Sequence, residues 1–139
     1  DEMKLKIENL KVVHSAKLPY ADDGFYATET EKRSMKIITS KEAKKEQIHS
    51  LVKVHPETQK KGLFINPVYT SHIQGFNEEE SFLLLSKLYE HMTQEKYIYR
   101  HKWKENMLLM WDNRTVMHMA EGGYDGYDRL LHRITIANS

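Results

Sequence analysis

Apolar positions change their period several times along the chain, and each change predicts a new element. DEMKLKIENL sets Met3, Ile7 and Leu10 on one face at helical spacing. KVVHSAKLPY (11–20) reads as a short strand that ends in a turn at Pro19. The pattern then lapses over 21–50, a polar and charge-rich excursion with room for a short helix over 40–48. Such an excursion is either a solvated loop or a lid over a site. SLVKVH (50–55) alternates like a strand, HPETQKKG is a turn, and LFINP (63–67) is a second strand.

Helical spacing returns at Asn77. Asn77 as N-cap with Glu80 three residues on makes a capping box, and Glu78 and Glu79 favour the positive end of the helix dipole. Phe82, Leu85, Leu88, Tyr89 and Met92 form its predicted buried stripe. YIYRHKW (97–103), MLLMW (107–111), TVMHMA (115–120) and RLLHRITIA (129–137) then read as strands. One long helix beside a run of short, mostly antiparallel strands predicts an α+β fold, one piece of a sandwich or barrel.

Composition narrows the function classes. A chain of 139 residues is expected to be a single domain, 1–139. Its 21 basic and 20 acidic residues nearly cancel, which argues against a nucleic-acid or membrane partner. With no cysteine there is no disulfide, thiolate metal site or cysteine nucleophile, and a cytoplasmic location is expected. No apolar run is long enough to span a bilayer, and no signal-peptide pattern opens the chain. The chain starts without Met inside an amphipathic pattern, so it reads as cut from something longer.

The chemistry concentrates in WDNRTVMHMAEGGYDGYDRLLHRITI (111–136). On alternating strands Val116, His118 and Ala120 share one face, and Arg129, Leu131, Arg133 and Thr135 share another. Pattern leaves two readings open. Leu130, Ile134 and Ile136 could face the core with the arginines solvated and His118 structural. Alternatively the arginines point into a barrel mouth, where their forks suit a carboxylate and His118 suits a divalent metal. Asp112 and Asn113 are expected to organise the turn before the His118 strand.

WDN-R-x3-H, an Arg eleven residues after that His, and R-x-x-H-R-x-T together resemble the C-terminal signature of the taurine dioxygenase (TauD/TfdA) family. HPETQKKGLFINPVYTSHIQGF and YRHKWKENMLLMWDNR resemble that family's preceding segments, so the likeness runs from about residue 3 to 137. The resemblance implies an Fe(II)- and 2-oxoglutarate-dependent dioxygenase on a double-stranded β-helix (jelly roll) with one long flanking helix. It implies that His118 is the distal iron ligand and that Arg129 pairs with the C5 carboxylate of 2-oxoglutarate. Arg133 is implied as a second arginine beside cosubstrate and substrate anion, and Tyr69 and Tyr20 as substrate-pocket residues. No residue is assigned as an acid or base. The implied reaction hydroxylates a small, anionic organic substrate and releases succinate and CO2.

The family's facial triad needs two His and one carboxylate. None of His14, His49, His55, His72, His91, His101, His118 and His132 has Asp two residues later. Only His55-Pro56-Glu57 gives the looser H-x-E form, within the HP-x-T turn. The sequence therefore resembles the C-terminal half of the family, expected to be inactive alone and to associate as a homo-oligomer through unpaired strand edges. Two further classes stay open: a truncated relative without catalysis, and a β-barrel module that binds an anion through its arginines.

Overall fold

The structure, a computed structural model, describes residues 1–29, 37–123, 126–128 and 130–136. α1 (Glu2–Ile7) starts directly after Asp1 and buries Ile7. β1 (Lys11–Ser15) is the middle strand of a three-stranded antiparallel sheet, flanked by β2 (Glu46–Ser50) and β5 (Thr70–Ile73). Val12 and Val13, neighbours on opposite pleats, are both buried, so this strand is covered on both sides. β3 (Val52–Val54) and β4 (Lys61–Leu63) pair as a separate hairpin around the HPETQKK turn. Between β1 and β2 lie two short helices, α2 (Lys17–Tyr20) and α3 (Phe25–Thr28), and a 3-10 turn over Lys41–Lys44.

The register between β1 and β5 contains a bulge. Val13 faces His72, but His14 faces Thr70, so Ser71 is an extra residue on β5. The shift brings the Thr70 hydroxyl to 3.0 Å from His14 Nε2.

α4 (Glu78–Met92) carries the predicted capping box: Glu80 N–H donates to Asn77 Oδ1 at 2.8 Å, and Asn77 N–H donates to Glu80 Oε2 at 3.1 Å. Asn77→Ala is expected to cost about 1 kcal/mol of stability, read by urea denaturation, because the Glu80 amide at the helix end loses its acceptor. Leu85 and Leu88 are buried as predicted, with Tyr89 and Met92 packed partly buried against the core, but the stripe is rotated at its first turn. Ser81, Leu84, Leu85 and Leu88 are buried, whereas Phe82 is 68% exposed. Small Ser81 lets α4 approach β5, and its Oγ accepts from Ile73 N–H at 3.0 Å, which fixes that rotation. The core joins Ile7, Val12, Leu51, Ile65 and Ile73 to the leucines of α4.

Several other expectations need correction. Pro19 lies in α2 rather than at a turn, and the short helix expected over 40–48 is a 3-10 turn followed by a strand. β4 stops at Leu63, so most of LFINP is not strand. The described part of the 21–50 excursion is tied down: Lys44 pairs with Asp22 at 2.7 Å and Asp23 at 3.0 Å, and Ser15 Oγ donates to the Ala43 carbonyl at 3.1 Å. The four strands expected after α4 are absent among the described residues, where only a 3-10 turn (Glu95–Tyr97) follows α4. A strand exists only where a neighbour receives its N–H and C=O groups, and these segments pair with no other strand of the chain among the described residues. No helix among those residues is long and apolar enough to cross a membrane.

Candidate functional site

A cavity of about 830 Å³ opens beside the β1–β2 sheet and the Leu63–Tyr69 connection, with the 113–118 segment on its other side. Four of the residues singled out in the sequence line it: His118, Arg133, Tyr20 and Tyr69. Arg129, the fifth, lies outside the described residues. The rings of Tyr20 and Tyr69 stack at 6.4 Å between centroids, and Tyr26 packs on Tyr20 at 5.3 Å. Partial burial raises the Tyr69 phenol above its ordinary value, and a hydrogen bond with Tyr20 adds to the shift. The Tyr69 phenol therefore stays a neutral donor at physiological pH.

The described residues of the last segment, 130–136, are all exposed. Leu130, Ile134 and Ile136 are exposed, at 81%, 89% and 83%, so the expectation that they face the core fails within this chain. Leu131, on the face with Arg133, is more covered at 46%. Among the described residues nothing covers Leu130, Ile134 and Ile136, while Arg133 borders the cavity.

The sheet contributes two imidazoles that the sequence reading passed over. His14 and His49 line the same cavity, 5.1 Å apart between ring centroids, and both pack on Phe64. Thr70 Oγ1 accepts from Asn66 N–H at 2.8 Å, which leaves its own hydrogen for His14 Nε2. Lys53 Nζ lies 3.5 Å from the Phe64 ring centroid. Burial first, then the neighbouring His49 and Lys53, lower the His14 pKa, and burial and Lys53 lower that of His49. A histidine whose pKa is lower in the folded state protonates more readily when unfolded. Its stabilising contribution is therefore complete above the ordinary value of 6.5 and is lost as pH falls through the folded value. Melting temperature is expected to drop as pH is lowered below that point, with a shallower drop in His14→Gln. Equal slopes in both proteins would show that His14 does not carry the effect.

His55 and Glu57 do not serve as a metal pair. His55 is buried, and its Nδ1 accepts from Glu57 N–H at 3.2 Å and Thr58 N–H at 3.1 Å. Its Nε2 then carries the hydrogen and donates to Asp112 Oδ2 at 3.0 Å. Neither nitrogen keeps a free lone pair. The Glu57 carboxylate pairs with Arg114 at 3.0 Å. Arg114 also grips Asp112 through Nε at 2.9 and 3.0 Å and Nη2 at 2.6 Å. This pairing, followed by the His55 hydrogen bond, holds the Asp112 carboxyl well below the usual carboxylate range.

Among the described residues no group of three or more His, Asp or Glu side chains is placed to hold a metal. His118 can supply one ligand to a divalent ion, and the Arg133 fork suits a carboxylate beside it. A complete iron site does not fit these residues alone. His14 and His49 lie in KVVHS and EQIHS, the second inside a stretch read as loop because it is so polar, and no local pattern brings the two rings together.

Residues 1–135 match the family described as taurine catabolism dioxygenase TauD, TfdA family. An alkylsulfatase from Acinetobacter baylyi is 34% identical over 136 residues, covering 97% of this chain and 42% of that protein. An alpha-ketoglutarate-dependent 2,4-dichlorophenoxyacetate dioxygenase from a Burkholderia strain is 47% identical over 68 residues, 49% of this chain and 23% of that one. Among solved structures, AAD-2 in complex with Mn(II) and N-oxalylglycine superposes with a TM-score of 0.56 at 33% identity, covering 75% of this chain and 38% of that chain. The matches span less than half the length of each of these relatives.

Proposed function

The chain belongs to the TauD/TfdA dioxygenase family, and from that premise we propose that it supplies the distal part of an Fe(II)- and 2-oxoglutarate-dependent dioxygenase site. His118 is one iron ligand, Arg129 clamps the remote carboxylate of 2-oxoglutarate, and Arg133 lies beside cosubstrate and substrate anion. Tyr20 and Tyr69 form an aromatic wall of the substrate pocket. The observation that carries this reading is that His118, Arg133, Tyr20 and Tyr69, far apart in sequence, line one cavity.

Bound iron and 2-oxoglutarate supply the oxidising chemistry, with succinate and CO2 as the products of the cosubstrate. The protein's residues bind, orient and exclude water. An arginine fork donates to both oxygens of a carboxylate in one orientation, and the tyrosines give an apolar wall with hydroxyls at its edge. The substrate in this reading is a small organic anion, favoured by Arg133 on the cavity wall. The remaining two iron ligands come from elsewhere in the protein, where the apolar pleats of 98–136 complete a double-stranded β-helix. The 139 residues alone do not turn over in this reading, and their open edges associate with a second copy.

Anaerobic titration with Fe(II) and 2-oxoglutarate, followed by the weak visible charge-transfer band of the ternary complex, tests this reading. No band is expected from the 139 residues alone. A band is expected from a longer protein that carries this chain with an upstream H-x-D, and His118→Ala should abolish it. A clear band from the 139 residues would refute the incomplete-site reading. Its absence from the longer protein would refute the dioxygenase reading.

A further inference from the structure

Two turns far apart in sequence, 55–58 and 111–116, are cross-linked side by side next to the cavity. On one side His55 is fixed by its own turn, since its Nδ1 accepts the Glu57 and Thr58 amides. On the other, every acceptor of Asp112 is committed. Oδ2 receives His55 Nε2–H at 3.0 Å, Oδ1 receives Arg114 N–H at 2.8 Å, and the carbonyl receives the Thr115 and Val116 amides at 3.2 Å each. Trp111, the residue before Asp112, donates its indole N–H to Asn113 Oδ1 at 2.8 Å. Its rings lie against the His118 ring, with centroids 4.9 Å apart and planes at 57°.

We propose that His55 is a positioning residue for His118: it anchors Asp112, and the turn anchored there carries the Trp111 indole that sets the plane of the His118 imidazole. An exposed histidine at the start of a loose segment samples several rotamers, whereas a metal ligand works in one. Trp111 is the aromatic ring packed on His118 among the described residues, and its indole N–H is held by Asn113. The HP-x-T turn and the WDN turn are in this way one device, with the buried imidazole of His55 as its pin. This inference rests on the reading of His118 as a ligand.

His55→Asn separates the pin from the turn. An Asn oxygen still accepts the amides two and three residues on, as in an Asx turn, but its side chain is too short to reach Asp112. In the metal-free protein that carries this chain, nuclear Overhauser contacts between the Trp111 indole and His118 ring protons are expected in the parent. They should fall by more than half in His55→Asn, while the 55–58 amide shifts and the helical circular dichroism stay unchanged. The Co(II) dissociation constant should rise about tenfold, the lower end of what loss of an outer-shell partner costs. Asn113→Ala gives a second arm if the first variant misfolds: it frees the indole, so the same ring contacts should weaken while the His55 signals persist. Unchanged Trp111–His118 contacts in either folded variant overturn the proposal. A His118→Ala protein that binds Co(II) as tightly as the parent overturns the ligand reading instead, and leaves the ring contacts to judge the positioning on their own.

Discussion

Arg129→Ala is expected to raise the 2-oxoglutarate dissociation constant of the iron-loaded protein by roughly 30-fold to a few thousand-fold. Truncating one partner of a buried, hydrogen-bonded charge pair costs roughly 2–5 kcal/mol, and each 1.4 kcal/mol is a factor of ten. Arg129→Lys keeps the charge but loses the planar fork, so it should fall between the parent and Ala. Arg133→Ala, four residues on, should weaken cosubstrate less than Arg129→Ala does and should weaken substrate as well, because the second arginine lies beside cosubstrate and substrate anion. Measuring the charge-transfer band against 2-oxoglutarate concentration separates the two roles. Unchanged 2-oxoglutarate affinity in Arg129→Ala would refute the clamp.

Ile73→Ala is expected to destabilise the fold by about 2–5 kcal/mol, the range for deleting a buried aliphatic side chain where the surroundings relax only in part. Ile73 is fully buried on β5 in the cluster that includes the α4 leucines, and its amide is bonded to Ser81. Phe82→Ala, on the exposed side of the same helix, should stay within about 0.5 kcal/mol despite removing the larger side chain. Urea midpoints of the two variants decide the orientation of α4. A larger loss for Phe82 would restore the stripe expected from the sequence. The loss at Ile73 should also reach the cavity, since the same short strand presents Thr70 to His14.

What the sequence made legible was local. The capping box at Asn77 could be read because both of its partners lie within four residues, and the β1 strand because its β-branched pair, Val12 and Val13, is written in adjacent letters. The rotation at the start of α4 could not be read, because it depends on a hydrogen bond that Ser81 Oγ accepts from a strand amide eight positions away. β5 was missed since TSHI has only one strongly apolar residue, and it becomes a strand through pairing with β1. The strands expected after α4 have the right alternation, but their partners are not among the described residues. For the site, the family resemblance named His118, Arg133, Tyr20 and Tyr69, and the cavity gathers those four. His14, His49 and the His55–Asp112 bond were out of reach, for each depends on a contact across more than thirty residues of chain.

Ser71 is exposed and lies outside the core, yet it alters the course of β5. As the extra residue it interrupts the alternation of that strand, so Thr70 lies opposite His14 although it stands two positions from His72. Substitutions at Ser71 should accumulate freely over evolutionary time, and so should its loss. Without it Thr70 would adjoin His72 directly and still face His14, now in a regular ladder. The position is neutral in its chemistry and free in its count, a tolerance that reveals itself in the placement of gaps between relatives as well as in which letters they share.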